Sequence, residues 1–513
     1  MANKGIPMSG RILITALSIV SLLALSACSD GGNNRKCKGE EVPTERLFLQ
    51  QLSDTSVVIK WRGAATAACI GTLQDTLKVY ADATVTEGDH KQVTFTGLLP
   101  EVTYFYSIGG ARQAPADQYF TTHPQPGSLP ADGNTRIWLI GDSGTGGDDE
   151  REDHEGEALE VLAGMQAYTA RDGEPVDVFL MLGDNAYDVG SDFNFQQAVF
   201  ETYPTLLKRL ALWPTIGNHE MGLGFLNPTV ALPGFSQSPD PDSWIEDTGA
   251  TPRGMPYLDI FTLPTNGEAG GVPSGTEQYY SFDYGRVHIV SLDSQLSARD
   301  PDQLSAMKSW LIEDLSSNDA DWTIVIFHHP PYSKGANHDS DDTEKLGGFD
   351  MPQQWMREQF VPVFDQYGVD VVYNGHSHSY ERSFYLTNLT GKSDTYSAAN
   401  NAELVDGNPN RPASGRGTEE YRQLSPTSGG VDDRVVYTVT GNGGKADSSS
   451  GLTEASQWLR HPAMIEQPAD TVQPRRRGLA VIGSVVVDAG PERLRAHFID
   501  AEGEVLDSFT ITR

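Results

Sequence analysis

The chain has 513 residues, of which 38% are hydrophobic and 21% charged, with 52 glycines and 30 prolines. These proportions indicate a globular protein of two or three domains with many turns, and they exclude a fibrous or coiled-coil protein. Acidic residues outnumber basic ones by 70 to 37, so the net charge of -33 repels nucleic acids and we expect no nucleic-acid partner. A small phosphorylated substrate is compatible with this charge, because bound metal ions can reverse the local field.

Residues 1–27 have the pattern of an export signal. Lys4 and Arg11 precede an apolar run that is too short to span a bilayer, and the run ends in small residues before Cys28. The arrangement resembles a bacterial lipoprotein signal, which predicts cleavage before Cys28, a lipid on its thiol and a tether over residues 28–42. We therefore expect a membrane-anchored protein of the bacterial cell envelope, on its periplasmic or outer face. The alternative is an ordinary signal peptide with an incidental cysteine.

Cys37 and Cys69 are the two other cysteines of the chain. In an exported protein they could form a disulfide, but one could equally belong to the tether and the other to the core. Two cysteines cannot form a cysteine-rich zinc site. Any metal in this protein must therefore be bound by oxygen and imidazole ligands.

The first part of the mature chain has an all-β pattern. The sequence Leu99-Pro100-Glu101-Val102-Thr103-Tyr104 is similar to the tyrosine corner of immunoglobulin-like and fibronectin-type sandwiches, and we predict such a domain over residues 43–123. The predicted strands are 46–52, 56–61, 92–96, 103–108 and 118–121.

A linker rich in proline and glycine separates this domain from an α/β pattern over residues 134–513. Helical periodicity between the strands is illustrated by Met356, Phe360, Val363 and Tyr367. Nearly continuous apolar runs predict buried strands at 136–140, 178–182, 286–292, 323–327 and 369–373. Strands without helices between them predict an antiparallel closing section at 435–440, 480–488, 494–499 and 505–510. Two weakly periodic regions, 221–275 and 387–433, predict long loops, either lids or partly disordered insertions.

Polar residues bounded by glycine or proline follow these strands. Strand ends are where α/β sheets place their functional sites. Carboxylate, amide, phenol and imidazole together suit iron, zinc or manganese, and their number fits two ions bridged by one carboxylate. The motifs are Gly141-Asp142-Ser143-Gly144, Gly183-Asp184-Asn185-Ala186-Tyr187, Gly217-Asn218-His219-Glu220, His328-His329-Pro330 and Gly375-His376-Ser377-His378.

The order of these motifs resembles the purple acid phosphatases of the calcineurin-like metallophosphoesterase superfamily. The resemblance implies a four-layer α-β-β-α sandwich preceded by an all-β fibronectin- or immunoglobulin-like sandwich. Many members of the superfamily have Asp-x-His as the first motif, whereas this chain has Asp142-Ser143-Gly144 and offers Tyr187. That difference favours the purple subgroup.

The resemblance also implies a role for each ligand type, with one carboxylate shared between a ferric ion and a divalent ion of zinc, iron or manganese. The implied ferric ligands are Asp142, Tyr187 and His378, the divalent ligands are Asn218, His328 and His376, and the bridging carboxylate is Asp184.

Two further histidines are the implied catalytic residues. His219 would contact the substrate phosphate and stabilise charge or protonate the leaving group, and His338 would be a second substrate contact. Glu220 and His329 are candidates for residues that support the ligands. The implied reaction is hydrolysis of phosphoric esters, phosphomonoesters above all, by a hydroxide that bridges the metals. The alternatives are a phosphodiesterase or nucleotidase of the same superfamily and a surface binding protein without catalysis.

Overall fold

A computed structural model describes residues 37–145, 157–187, 189–221, 255–336, 338–423, 434–447, 451–469 and 475–513. The predicted signal, Cys28 and the first part of the predicted tether lie outside these residues, as do most of the predicted loop 221–275 and part of the loop 387–433. Within the described ranges, no helix has the length and apolar character needed to cross a membrane.

The N-terminal strands form two four-stranded sheets, in the orders β1-β2-β6-β5 and β4-β3-β7-β8. Alternate residues Val57, Ile59 and Trp61 are buried in one hydrophobic core, as the sequence predicts. The Tyr104 hydroxyl accepts a hydrogen bond from Leu99 N at 3.0 Å, which is the contact expected of a tyrosine corner. The strands are β1 (Glu45–Gln50), β2 (Ser56–Arg62), β3 (Ala67–Gly71), β4 (Val79–Asp82), β5 (Thr84–Val85), β6 (Lys91–Thr96), β7 (Thr103–Ile108) and β8 (Tyr119–Thr121).

Cys37 and Cys69 form a disulfide, which decides between the two alternatives that the sequence leaves open. Cys69 lies in β3 and is fully buried, and Cys37 is 5% exposed. The bond therefore attaches the start of the described chain to the core of the sandwich.

The second unit contains two facing sheets. The first has the order β11-β10-β9-β19-β20-β21-β17 and the second the order β12-β13-β14-β15-β18-β16. The strands are β9 (Thr135–Ile140), β10 (Val178–Met181), β11 (Leu212–Pro214), β12 (Tyr280–Tyr284), β13 (Val287–Ser291), β14 (Trp322–Ile326), β15 (Val371–Asn374), β16 (Tyr380–Leu386), β17 (Tyr421–Arg422), β18 (Val435–Thr440), β19 (Gly483–Ala489), β20 (Arg493–Asp500) and β21 (Val505–Thr512).

Helices cover the outer faces of both sheets. Ile324 and Ile326 point into the core shared with the first sheet, whereas Val325, between them, packs in a separate cluster with residues of the covering helices. The long helices are α1 (Glu157–Asp172), which packs on β19 and β20, and α2 (Pro301–Ser317), α3 (Met351–Gln359) and α4 (Val361–Tyr367) on the second sheet. Short helical turns occur at Glu87–Asp89, Asp192–Phe195, Gln196–Glu201, Pro204–Leu207, Pro256–Ile260, Ser297–Arg299, Lys345–Gly348, Ser393–Thr395, Ala398–Asn401 and Val405–Gly407.

This helix–sheet–sheet–helix order confirms the predicted α/β class, with two differences in detail. β19, β20 and β21 are antiparallel as predicted, and β18 pairs antiparallel with β16 but parallel with β15. β16 runs opposite to β15, so β18, which lies between them in the sheet, is antiparallel to β16 and parallel to β15. The periodic stretch from Met356 to Tyr367 is two helices, because Pro362 stands in the first turn of α4 and cannot continue the backbone hydrogen bonding of α3.

The sandwich is joined to the α/β unit by charged contacts. Arg46 and Arg62 both contact the carboxylate of Asp192, at 2.8 and 2.6 Å. Gln50 donates to the carbonyl of Leu212 in β11 at 2.8 Å. Because β11 leads directly into the Gly217 motif, the sandwich supports a strand that carries part of the candidate site.

Candidate metal centre

The predicted ligands meet at the carboxyl ends of the central strands of the two sheets. Asp142 follows β9, Asp184 follows β10, and His376 follows β15. These three residues have positive φ angles of 54°, 50° and 69°, a conformation that non-glycine residues rarely adopt and that often marks functional sites. The chain turns sharply after each strand and directs the side chain back across the strand ends.

Glycines allow the loops to approach one another closely. A Cβ atom on Gly217 would lie 2.1 Å from Asp184 N, and one on Gly375 would lie 2.3 Å from Asp142 Oδ2. Neither position can hold a larger residue without moving a ligand-bearing loop. The glycines noticed in the sequence are therefore required by the geometry of the site.

One side of the centre is formed by Asp142, Tyr187 and His378. The Tyr187 hydroxyl lies 3.2 Å from Asp142 Oδ1 and 3.1 Å from His378 Nε2. The exposed fraction of Tyr187 is 1%, and burial together with the charges of Asp142 and Asp184 raises its pKa well above the usual value for a phenol. Only a strong Lewis acid at this position would favour the phenolate.

The other side is formed by Asn218, His328 and His376. Asn218 Oδ1 lies 3.0 Å from His328 Nε2 and 2.9 Å from His376 Nδ1, and the two imidazole nitrogens are 3.3 Å apart. The second nitrogen of His328 is 2.9 Å from the carbonyl oxygen of Leu182. A ring Nδ1–H that donates to this carbonyl leaves the Nε2 lone pair directed into the centre.

Asp184 lies between the two sides. Its Oδ2 is 3.4 Å from the Tyr187 hydroxyl on one side and 3.3 Å from His328 Nε2 on the other. Its Oδ1 accepts a hydrogen bond from the backbone N–H of His219 at 2.8 Å. The structure thus brings together all seven predicted ligands, with Asp184 placed where it can reach both ions.

The donor chemistry fits metal ions. Asp142, Asp184 and His328 offer ligand atoms that all lie within 4.8 Å of one another. Oxygen and imidazole ligands of this kind suit iron, zinc and manganese, and the sulfur atoms of Cys37 and Cys69 are held in the distant disulfide.

His219 and His338, the two predicted substrate contacts, both lie at the edge of this centre. The His219 ring packs against the Tyr187 ring with centroids 4.5 Å apart, and its side chain is 20% exposed. The His338 ring lies 3.7 Å from the His376 ring, and its side chain is 13% exposed. Both imidazoles are more accessible than the predicted ligands beside them, which suits groups that contact a substrate.

Glu220 has a supporting role that the sequence only suggested. Its carboxylate accepts backbone hydrogen bonds from Asp184 at 3.0 Å, Asn185 at 2.7 Å and Gly217 at 2.6 Å. Burial and the charge of Asp184 raise the pKa of Glu220 to about 8. Glu220 therefore ties together the two loops that carry Asp184 and Asn218.

His329 is buried beside the centre and does not occupy a place among the seven ligands. Its Nδ1 lies 2.9 Å from the Ser294 hydroxyl, and its ring is 4.3 Å from that of His376. This position agrees with the prediction that His329 is a neighbour of the metal ligands.

Three charged residues at the centre are not among those that the sequence predicts. Asp350 Oδ1 lies 2.8 Å from His376 Nε2, Asp447 Oδ1 lies 3.7 Å from His378 Nδ1, and Lys445 Nζ lies 4.6 Å from the centre of the Tyr187 ring. Burial raises the pKa of Asp350, but the neighbouring His338 and His376 outweigh burial and hold this pKa below its usual range. Asp447 and Lys445 follow β18 and could have been found as a further strand end, whereas Asp350 follows no strand.

The sequence is similar to those of known metal-dependent phosphoesterases. Residues 135–380 match the family model of calcineurin-like phosphoesterases. Purple acid phosphatase 15 of Arabidopsis thaliana is 25% identical over 316 residues, which cover 58% of this chain and 50% of the relative. Purple acid phosphatase 23 of the same plant is 28% identical over 317 residues, which cover 60% of each chain. The chain therefore spans about half to three-fifths of the length of these relatives.

Solved structures show the same fold. A purple acid phosphatase from yellow lupin (Lupinus luteus) seeds superposes with a TM-score of 0.62 at 18% identity, covering 92% of this chain and 74% of the lupin chain. The structure of PhoD superposes with a TM-score of 0.52 at 13% identity, covering 91% and 89%. Residues 135–380 are therefore similar to calcineurin-like phosphoesterases, and purple acid phosphatases are among the proteins that the chain resembles.

Proposed function

We propose that this protein hydrolyses phosphoric esters, with phosphomonoesters as the main substrates, at a centre of one ferric and one divalent ion. The observation that carries the proposal is the position of Asp184 between an acidic, phenol-containing side and an imidazole-rich side. When bound, the two ions would polarise the phosphoryl oxygens and lower the pKa of the attacking water.

The residues of the chain would orient the ester and stabilise charge. The His219 ring reaches the edge of the centre, where it can contact a phosphoryl oxygen or protonate the leaving alcohol. His338, on the opposite side beside His376, can contact a second phosphoryl oxygen. A small ester would therefore be held between two imidazoles as well as by the metal ions.

A panel of phosphomonoesters and phosphodiesters, including nucleotides, assayed from acidic to neutral pH, tests this function. We expect metal-dependent phosphate release that is fastest with monoesters. Faster turnover of diesters would instead support the phosphodiesterase alternative. A pure, metal-loaded protein that hydrolyses none of these esters would contradict the proposal and favour a binding protein.

We propose Tyr187 as the residue that identifies the ferric ion. A phenol with a pKa raised by burial becomes a phenolate only beside a strong Lewis acid, and ferric iron is a much stronger one than zinc. The oxidised, iron-loaded protein should absorb visible light through charge transfer from phenolate to iron, and Tyr187→Phe should abolish this band. A colourless wild-type protein with verified ferric iron, or an unaltered band in Tyr187→Phe, would show that Tyr187 is not a ligand.

We also propose that a lipid on Cys28 anchors the protein to an envelope membrane. The proposal rests on the lipoprotein-like end of the apolar run and on the polar residues that follow. Several acyl chains on one cysteine provide the stable anchoring that a single chain does not. Cys28→Ser should move the protein into the soluble fraction, and unchanged detergent-dependent fractionation would contradict the anchor.

A further inference from the structure

Asp350 lies immediately before helix α3 and is 5% exposed. One of its oxygens, Oδ1, lies 2.8 Å from His376 Nε2 and 3.0 Å from His338 Nδ1. Both distances are those of hydrogen bonds between an imidazole N–H and a carboxylate. A single oxygen atom therefore contacts a predicted metal ligand and a predicted substrate contact.

The side chain of Asp350 does not serve the helix that follows it. Asp350 occupies the N-cap position of α3, but its carboxylate makes no capping hydrogen bond. An aspartate at this position commonly caps a helix and stabilises it. Helix capping therefore does not explain why the Asp350 carboxylate points toward the two imidazoles.

The contact with His376 determines which of its nitrogens can bind a metal ion. An Nε2–H that donates to Asp350 leaves the lone pair on Nδ1, and Nδ1 lies 2.9 Å from Asn218 Oδ1 inside the centre. A carboxylate in this position fixes the ring orientation and makes the imidazole a stronger ligand.

The contact with His338 determines the position of a second imidazole. The centroids of the two histidine rings lie 3.7 Å apart, and the rings are tilted by 32° to each other. His338 Nδ1 is held by Asp350, and the side chain remains 13% exposed. The rest of the ring can therefore reach a ligand at the edge of the centre.

We propose that Asp350 is a positioning residue that couples the divalent-ion site to the phosphate-contacting His338. This inference deepens the proposed function and rests on it. Because both imidazoles share one acceptor atom, loss of the carboxylate weakens metal binding by His376 and frees His338 at the same time. Loss of His338 alone affects only the phosphate contact.

The chain offers a matched control on the other side of the centre. Asp447 faces His378 Nδ1, but at the longer distance of 3.7 Å, and its backbone N–H donates to the carbonyl of His378 at 2.9 Å. Asp447→Asn removes a carboxylate of the same kind that does not contact His376 or His338. This variant should leave the affinity of the divalent-ion site for zinc unchanged.

The test compares Asp350→Ala, Asp350→Asn and His338→Ala with the wild type. Zinc affinity is measured by equilibrium dialysis of iron-loaded protein, and binding of inorganic phosphate is measured by calorimetry with both metal sites filled. We expect Asp350→Ala to weaken zinc binding by about 10- to 100-fold and to weaken phosphate binding as well. Asp350→Asn keeps an acceptor oxygen without the charge and should lose less, whereas His338→Ala should weaken phosphate binding alone.

Three results would overturn the coupling. The first is that Asp350→Asn and Asp350→Ala both bind zinc and phosphate as tightly as the wild type. The second is that Asp447→Asn weakens zinc binding as much as the Asp350 variants do. A third zinc ion per chain that disappears with Asp350 would instead make Asp350, His338 and His376 a separate metal site. Zinc affinity is independent of ester hydrolysis, so failure of the proposed function alone would leave this measurement interpretable. Near-ultraviolet circular dichroism confirms that each variant is folded.

Discussion

The metal centre and the surroundings of His288 are both built from buried carboxylates and imidazoles, but their polar atoms are satisfied in different ways. His288 Nδ1 lies 2.7 Å from Asp283 Oδ1, and Nε2 lies 2.9 Å from Asp314 Oδ2. Burial lowers the pKa of His288, but these two carboxylates outweigh burial and raise it to about 9. We call His288, Asp283 and Asp314 the His288 cluster. Both N–H groups of a protonated imidazole find a carboxylate acceptor here, so the hydrogen bonds of the ring are satisfied without a metal ion.

The candidate metal centre also has histidine–carboxylate contacts, but they are one-sided: His376 meets Asp350 through Nε2 alone, at 2.8 Å, and His328 meets Asp184 through Nε2 alone, at 3.3 Å. Imidazole nitrogens of His328 and His376 face each other and an amide oxygen, and the phenol of Tyr187 lies between Asp142 and Asp184. A cation satisfies such an arrangement better than protons do, because several lone pairs point toward the same space. The number of histidines and aspartates in a cluster therefore does not identify a metal site. A metal site is identified by which atoms the side chains of these residues face.

Removal of the metal ions should separate the two regions most strongly. Dialysis against a chelator should reduce ester hydrolysis by more than about 10⁴-fold, because the proposed reaction depends on the ions for charge stabilisation and for the attacking water. The His288 cluster needs no metal, so the surrounding sheet should keep its amide protection in hydrogen exchange. Readdition of iron and zinc should restore turnover. Full activity in verified metal-free protein would show that the candidate metal centre, like the His288 cluster, needs no metal ion.

His219→Ala should lower turnover by about 10² to 10⁴-fold, the range expected for a general acid or charge-stabilising group. Its side chain lies at the edge of the centre, so both ions should stay bound. Steady-state kinetics at saturating substrate and metal analysis of the same sample measure the two effects. Loss of the metals, or unchanged turnover, would show that the assigned role is wrong.

His288→Gln should affect stability and its pH dependence, with no loss of metal. The folded-state pKa of about 9 lies above the usual value for histidine, so this stabilisation is complete below about pH 6.5 and is lost as the pH rises through 9. We expect the substitution to cost about 1 to 3 kcal/mol at pH 6 and less at pH 9.5. Urea unfolding at both pH values measures this. An equal cost at both would mean that His288 is uncharged in the folded protein.

Lys445→Met should have the smallest effect, on the colour of the proposed ferric site. The ammonium group lies 4.6 Å from the centre of the Tyr187 ring, a cation–π distance worth about 0.5 to 1 kcal/mol. Its removal raises the energy of the phenolate electrons, so the charge-transfer band should move to longer wavelength by a few nanometres. Lys345→Met, which removes an exposed lysine paired with Asp342, is the control. Identical shifts of the band in both variants would show that Lys445 does not influence the Tyr187 phenolate.

The sequence pointed to the seven candidate ligands because each belongs to a short motif beside a buried strand, and parallel strand ends meet in space. Asp350 could not be found in this way, since an aspartate before a helix is usually a cap and its partners lie far along the chain. The pairing of His288 with Asp314 could not be found either, because Asp314 comes from helix α2 and no local pattern joins the two residues.

The sequence also could not predict which distant segments pair with each other. The spacing of Cys37 and Cys69 does not decide whether they are bonded, because the sandwich first has to bring β3 beside the start of the chain. The direction of β18 relative to β15 depends on the path of the long segment between β16 and β18, which has little periodicity. Local patterns therefore located the elements, while long-range contacts determined their partners.

The number of metal ions bound per chain decides whether the seven candidate ligands form a two-metal centre. Wild-type protein loaded with iron and zinc, freed of unbound metal and analysed by mass spectrometry should contain about two ions per chain, one of them iron. Asp184→Ala should lose most of both ions, because Asp184 lies between the two sides of the centre, while His288→Gln should keep both. Wild-type protein without bound metal after loading, or Asp184→Ala with a full complement of two ions, would contradict the account.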